Sequence, residues 1–177
     1  IVTSGAAVVA AKRATSTIPI VFGVANDPVG DGLVASLARP GGNVTGLSSQ
    51  TSEIGGKRVG LLREVIPALR RIAILANVDY PAAEREMGEV QAASGAVGLE
   101  SANLKVRRAE DIETTIEALN RSADALYVCT DPLVNTHRVR IGTLALGARL
   151  PTMWGLRDAI VAGSLISYGV NIPNSFR

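Results

Sequence analysis

The residue types that do most catalytic work are scarce and scattered in this sequence. Its one histidine, His137, stands between Thr136 and Arg138 on a predicted helix. No cysteine or carboxylate lies near it at metal-ligand spacing, so it reads as a surface histidine. Its one cysteine, Cys129, ends the apolar run Ala125-Leu126-Tyr127-Val128 and reads as a small buried hydrophobe. Ser4 lacks the glycine two positions ahead that a nucleophile elbow needs. Gly55-Gly56-Lys57-Arg58 fails as a phosphate loop, because position 51 is Thr51 and Arg58 follows the lysine where Ser or Thr belongs. No G-x-G-x-x-G follows a strand. No catalytic residue, metal ligand or cofactor is assigned.

Binding chemistry is better supplied. In open parallel sheets, ligands sit beyond the carboxyl ends of the strands. The residues at those predicted ends are Thr3-Ser4, Ala25-Asn26-Asp27, Asn77, Thr130-Asp131 and Trp154-Gly155. Most carry short polar side chains. Thr3 and Ser4 precede a predicted helix, whose free N–H groups and their own hydroxyls would suit a carboxylate; a plain helix cap is the alternative. Asp27-Pro28 and Asp131-Pro132 each read as a helix start, with Asp at the cap and Pro in the first turn. Either carboxylate could also meet a ligand's ammonium group, and Asp131 is preferred because it lies in the more complete half. Asn77 offers a polar edge. Tyr80 and Trp154 fall near strand ends, where rings stack on ligands or pack in the core.

These ends are positioned by a strand–helix alternation. Predicted strands cover 1–3, 18–25, 44–48, 71–77, 100–106, 123–130, 151–155 and 164–168. Most are apolar on both faces, as strands between two helix layers must be. Between them run helical stripes: Ile54, Leu61, Leu62, Val65 and Leu69; then Ile112, Ile116 and Leu119; then Leu133, Val134, Ile141, Leu144, Ala145 and Ala148. The composition, 47% hydrophobic and 19% charged with a net charge of +2, is that of an ordinary globular protein. Basic pairs at Lys12-Arg13, Lys57-Arg58, Arg70-Arg71 and Arg107-Arg108 read as solvated helix ends and strand starts. They are too dispersed for nucleic-acid binding. No apolar run is long enough to cross a membrane, and no signal peptide stands at the start.

Arg39-Pro40-Gly41-Gly42-Asn43 is a turn cluster, followed by a strand and the polar stretch Ser49-Gln50-Thr51-Ser52. A lobe boundary belongs there. About four strand–helix units follow it, enough for one Rossmann-like lobe, and two precede it, too few for another.

Three stretches identify a family. Ser16-Thr17-Ile18-Pro19-Ile20-Val21-Phe22, Asp27-Pro28-Val29-Gly30 and Gly32-Leu33-Val34-Ala35-Ser36-Leu37-Ala38-Arg39-Pro40-Gly41-Gly42-Asn43-Val44-Thr45-Gly46 resemble the substrate-binding components of tryptophan/tyrosine-type ABC importers. Ser167-Tyr168-Gly169 with Asn171-Ile172-Pro173 resembles the same family's return segment. The resemblance implies a type I periplasmic-binding-protein fold of two Rossmann-like lobes, the first incomplete here. It maps 1–46 to the end of lobe one, 47–165 to lobe two and 166–177 to the return. It implies further chain before Ile1, with a secretion signal, and after Arg177.

It also implies a periplasmic receptor for a small molecule, an amino acid or related carboxylate, handed to a membrane permease. Thr3 and Ser4 would hold the carboxylate, Asp131 or Asp27 the amine, Asn77 a polar edge, and Tyr80 or Trp154 the apolar part. Two rivals share the fold: the effector-sensing part of a transcription regulator and a small α/β enzyme acting on amino acids. An incomplete lobe exposes apolar sheet surface, so self-association is expected.

Overall fold

Strands that are apolar on both faces need a helix layer on each side, and the chain supplies them in alternation. The computed structural model describes residues 5–25, 27–49, 54–119 and 122–170. The predicted strand at 1–3 lies outside them, as do Thr3 and Ser4. Two compact units divide the chain, Ile1–Ser52 and Glu53–Arg177.

In the first unit, α1 (Gly5–Ala14) leads to β1 (Ile20–Ala25), which pairs in parallel with β2 (Val44–Ser48). Val8, Ile20, Phe22, Leu33, Val34 and Val44 form its core. The expected boundary after Gly46 falls inside β2, whose pairing with β1 carries Leu47 and Ser48 into this unit. The helix expected to open at Asp27-Pro28 is a run of turns instead. Asp27 Oδ1 accepts the Gly30 N–H at 2.8 Å, and the Pro28 carbonyl accepts from both Leu33 and Val34. Gly32, at φ +66°, turns the chain left-handed, which breaks any helix there.

The second unit runs α2 (Gly55–Val65), β3 (Arg71–Asn77), α3 (Pro81–Ala96), β4 (Glu100–Val106), α4 (Ala109–Glu117), β5 (Ala125–Val128), α5 (Pro132–Thr136), α6 (Arg138–Gly147), β6 (Thr152–Trp154), α7 (Asp158–Val161) and β7 (Ile166–Ser167). Among the described residues its five strands form one parallel sheet in the order β4-β3-β5-β6-β7. Ile166 and Ser167, expected to begin the return segment, pair here with β6.

Alternate residues of each strand feed two cores. Ala73, Leu75, Leu126, Val128 and Trp154 pack with Ile112, Ile116, Val134, Ile141 and Ala159 from the helices α4 to α7. Ile72, Ile74, Ala125, Tyr127 and Met153 pack with Val59, Leu62, Ala83, Met87 and Val90 from α2 and α3. Each fully buried aliphatic side chain contributes about 1.5–3 kcal/mol.

Two helix stripes differ from expectation. Val65 is 59% exposed and Ala148 is exposed. The buried face of α2 is Gly55, Arg58, Val59 and Leu62. Arg58, expected in solvent, turns inward, where Glu86, Tyr127 and the Tyr168 carbonyl accept from its Nη1 and Nε.

Candidate ligand-binding edge

The chain leaves β3 to one side, to β4, and then crosses to β5 on the other. A crevice opens where such a sheet reverses direction, outside the strand carboxyl ends. The residues at that point are Asn77, closing β3, and Asp131, three residues past β5.

Asp131 is 3% exposed. Its Oδ1 caps α5, accepting the Val134 N–H at 3.0 Å, and Pro132 fits the first helical position. The helix start read from Asp131-Pro132 is therefore present. Oδ2 is buried without a hydrogen-bond partner among the described residues. Burial raises the carboxyl pKa; the amides of Val134 and Leu133 and the backbone and side-chain amides of Asn77 pull it partly back. Those Asn77 groups stand close enough to favour the carboxylate, but neither meets Oδ2 in hydrogen-bond geometry.

Asn77 is half-buried, and its Oδ1 accepts the Asp79 N–H at 3.0 Å. Tyr80 stands just before α3, half-buried against the core beneath that helix. Trp154 is 3% exposed, its ring packed in the core among Val128, Val134 and Ala159. Its face is covered, and the polar group it brings to this edge is the indole N–H. A shallow recess is lined by Thr130, Asp131, Asn135, Trp154 and Gly155. Asp131 Oδ2, Asn135 Oδ1 and Trp154 Nε1 are all buried there without partners among the described residues. Buried polar atoms in native proteins nearly always bond to something, and with Thr130 Oγ1 four such atoms line this recess of about 10 Å³. Asp27 belongs to the first unit and is half-buried.

Beside the recess lies a network absent from the sequence-based candidates. Arg58 is 0% and Glu86 2% exposed. Arg58 Nη1 donates to Glu86 Oε1 at 2.7 Å and to the Tyr127 hydroxyl at 2.8 Å. Tyr127 in turn donates to Glu86 Oε1 at 2.8 Å, and the Thr130 N–H donates to Oε2 at 2.9 Å. Burial raises the Glu86 pKa, opposed by Arg58, Thr130 and Tyr127. Removing one partner of such a pair costs about 3–5 kcal/mol, since the other is left buried and uncompensated. Cys129, one residue past β5, is buried as expected; burial and the Glu86 and Asp131 carboxylates push its thiol pKa up, which disfavours the thiolate. His137 is half-buried at the junction of α5 and α6.

A more spacious concavity, of about 760 Å³, lies at the opposite edge, lined by Ile116, Leu119, Leu144, Leu150 and Pro151 among others. It is mainly apolar and faces the amino ends of the strands, where parallel sheets do not hold ligands.

A sequence profile described as ABC transporter substrate binding protein matches residues 1–174. The tyrosine-binding protein of Clostridioides difficile (strain R20291) is 26% identical over 162 residues, covering 92% of this chain and 46% of that protein. An ABC domain in complex with L-Trp from Streptococcus pneumonia superposes with a TM-score of 0.86 at 22% identity, over 97% of this chain and 59% of that one. A conserved domain protein from Vibrio cholerae does so with a TM-score of 0.87 at 26% identity, over 97% and 57%. The chain spans about half the length of these relatives.

Proposed function

This chain belongs to the ABC transporter substrate-binding protein family, and we propose that it forms part of an extracytoplasmic receptor that captures an amino acid, aromatic by preference, for import. Its parallel α/β architecture is that of the type I periplasmic-binding-protein fold, of which the chain carries part. The second unit serves as lobe two, the first as the end of lobe one, and the ligand is held in a cleft between lobes. Closure of that cleft creates the shape that a membrane permease reads.

The observation that carries this proposal is the unpartnered, buried Oδ2 of Asp131 at the switch point of the sheet. A ligand ammonium group would supply the missing bond as a charge-assisted one. Asn77 borders the same crevice, and Asn135 and Trp154 offer an acceptor and a donor. Tyr80 is the ring best placed for the apolar part. Thr3, Ser4 and Asp27 remain candidates from the other lobe. The relatives that bind tyrosine and L-Trp support the choice of ligand class.

Titration calorimetry with L-tyrosine and L-tryptophan tests the proposal. Wild type should bind at least one of them. Asp131→Asn keeps a helix-capping side chain but removes the charge, and should weaken binding at least about 30-fold, near 2 kcal/mol. Equal affinity of the two chains would overturn the role of Asp131, and binding of neither amino acid would overturn the ligand class.

A further inference from the structure

One guanidinium meets four segments of the second unit. Arg58 Nη1 reaches Glu86 in α3 and Tyr127 in β5. Its Nε donates to the Tyr168 carbonyl, one residue past β7, at 2.7 Å. Its Nη2 faces two glycines, and a methyl group built at Gly155 or Gly169 would stand 2.9 or 3.2 Å from it. Closer still, the Gly155 methyl would meet Thr130 Oγ1 and the Gly169 methyl the Gly155 carbonyl oxygen, so both glycines let the 130, 155 and 169 segments close on one another beside Nη2, which itself has no hydrogen-bond partner among the described residues. Tyr168 is held from its other side too, its N–H donating to the Trp154 carbonyl at 3.0 Å. Glu86 carries the link onward, because Oε2 accepts the Thr130 N–H at 2.9 Å. Thr130 immediately precedes Asp131 in the chain.

Stability alone does not account for this arrangement, since apolar residues of similar volume commonly serve a core as well as a buried ion pair. Direction does. The planar fork of Arg fixes several bonds at set angles, which the point charge of Lys does not. We propose that Arg58 and Glu86 are positioning residues for the ligand wall. They hold the 130–131 loop and the 168–169 segment in one fixed arrangement, so the loop that meets the ligand and the segment leaving the sheet move as one body. This rests on the assignment of Asp131 to the ligand-facing edge.

Arg58→Lys tests it in the 177-residue chain. Three quantities are measured: amide hydrogen exchange at Thr130 and Tyr168 without ligand, affinity for L-tyrosine and L-tryptophan, and the unfolding midpoint. Ile112→Val serves as the control, because it opens the core on the other face of the sheet. Arg58→Lys should speed exchange at both amides, and weaken binding, by about tenfold or more. At equal destabilisation, the control should shift each by less than about threefold. Exchange at both amides equal to wild type, or no faster than in the control, overturns the proposal. If wild type binds neither amino acid, the ligand assignment fails while the exchange result still decides the positioning. If Arg58→Lys does not fold, Glu86→Gln decides. It leaves one acceptor oxygen for three donors, Arg58 Nη1, the Tyr127 hydroxyl and the Thr130 N–H, so Thr130 should exchange faster while Tyr168, still held by Arg58, does not; unchanged exchange at Thr130 overturns the proposal.

Discussion

At Asp131 the two carboxylate oxygens live in different surroundings. Oδ1 is spent on the Val134 N–H, while Oδ2 is buried without a partner. Burial lifts the pKa above its ordinary 3.8, against the pull of Val134, Leu133 and Asn77. The sign follows from linkage. A raised folded-state value contributes stability that is present below pH 3.8 and lost as pH rises through the folded value. An ammonium ligand favours the charged form and so opposes that loss. Affinity for L-tyrosine should therefore fall as pH drops through the ligand-free value of Asp131. Calorimetry from about pH 7 down to about pH 3 checks this, and Asp131→Asn should bind weakly with a flat profile. A wild-type profile as flat as the variant's would remove Asp131 from the ligand.

At the scale of elements, the sheet is tied together at its other edge by Asp124. Its Oδ2 accepts the N–H groups of Arg70 and Arg71 at 3.0 and 2.8 Å, and its Oδ1 meets the Arg71 guanidinium at 3.1 Å. One carboxylate thus aligns the start of β3 with the residue before β5. Burial raises its pKa, but the side chain and amides of Arg71 and the Arg70 amide outweigh that and leave it lowered. The stability it lends is present above pH 3.8 and lost as pH falls through the folded value. Asp124→Asn should cost about 1 kcal/mol near neutral pH, because the Arg71 pair is partly exposed and screened. The difference from wild type should close in acid, and urea unfolding at two pH values measures it. The α4 stripe was legible from spacing alone: Ile112, Ile116 and Leu119 are all buried. The α2 stripe was not. Arg58 sits three residues after Gly55 and four before Leu62, on the buried helical face. Only the burial of an opposite charge on the next helix, Glu86, makes that position tolerable for arginine.

At the scale of the molecule, the two units differ in what they bury. Among the described residues, the first has two paired strands and one small core, while the second has five strands and a core on each face. A two-stranded sheet has little stability of its own. Amides of β1 should exchange well before those of β3 and β5, as mass-spectrometric hydrogen exchange would record; simultaneous exchange would mean that the chain opens as one block. Val21 and Leu47 share the outward face of the first unit's sheet by strand alternation, at 44% and 43% exposure. Self-association stays an expectation, which light scattering would test.

Sequence alone determined the strand–helix alternation, the parallel α/β class, the Asp131-Pro132 helix start and the family, because these depend on residues close together in the chain. Strand spacing needs only a period of two and a cap needs only its neighbours. The tertiary structure decided what depends on distant residues. Strand order brings Asn77 beside Asp131, and packing turns the Trp154 ring into the core. It also joins Arg58, Glu86, Tyr127 and Tyr168, up to 110 positions apart, in one buried network. A charge so far from its partners in the chain reads as a solvated one, since only the folded sheet supplies the acceptors that allow it inside.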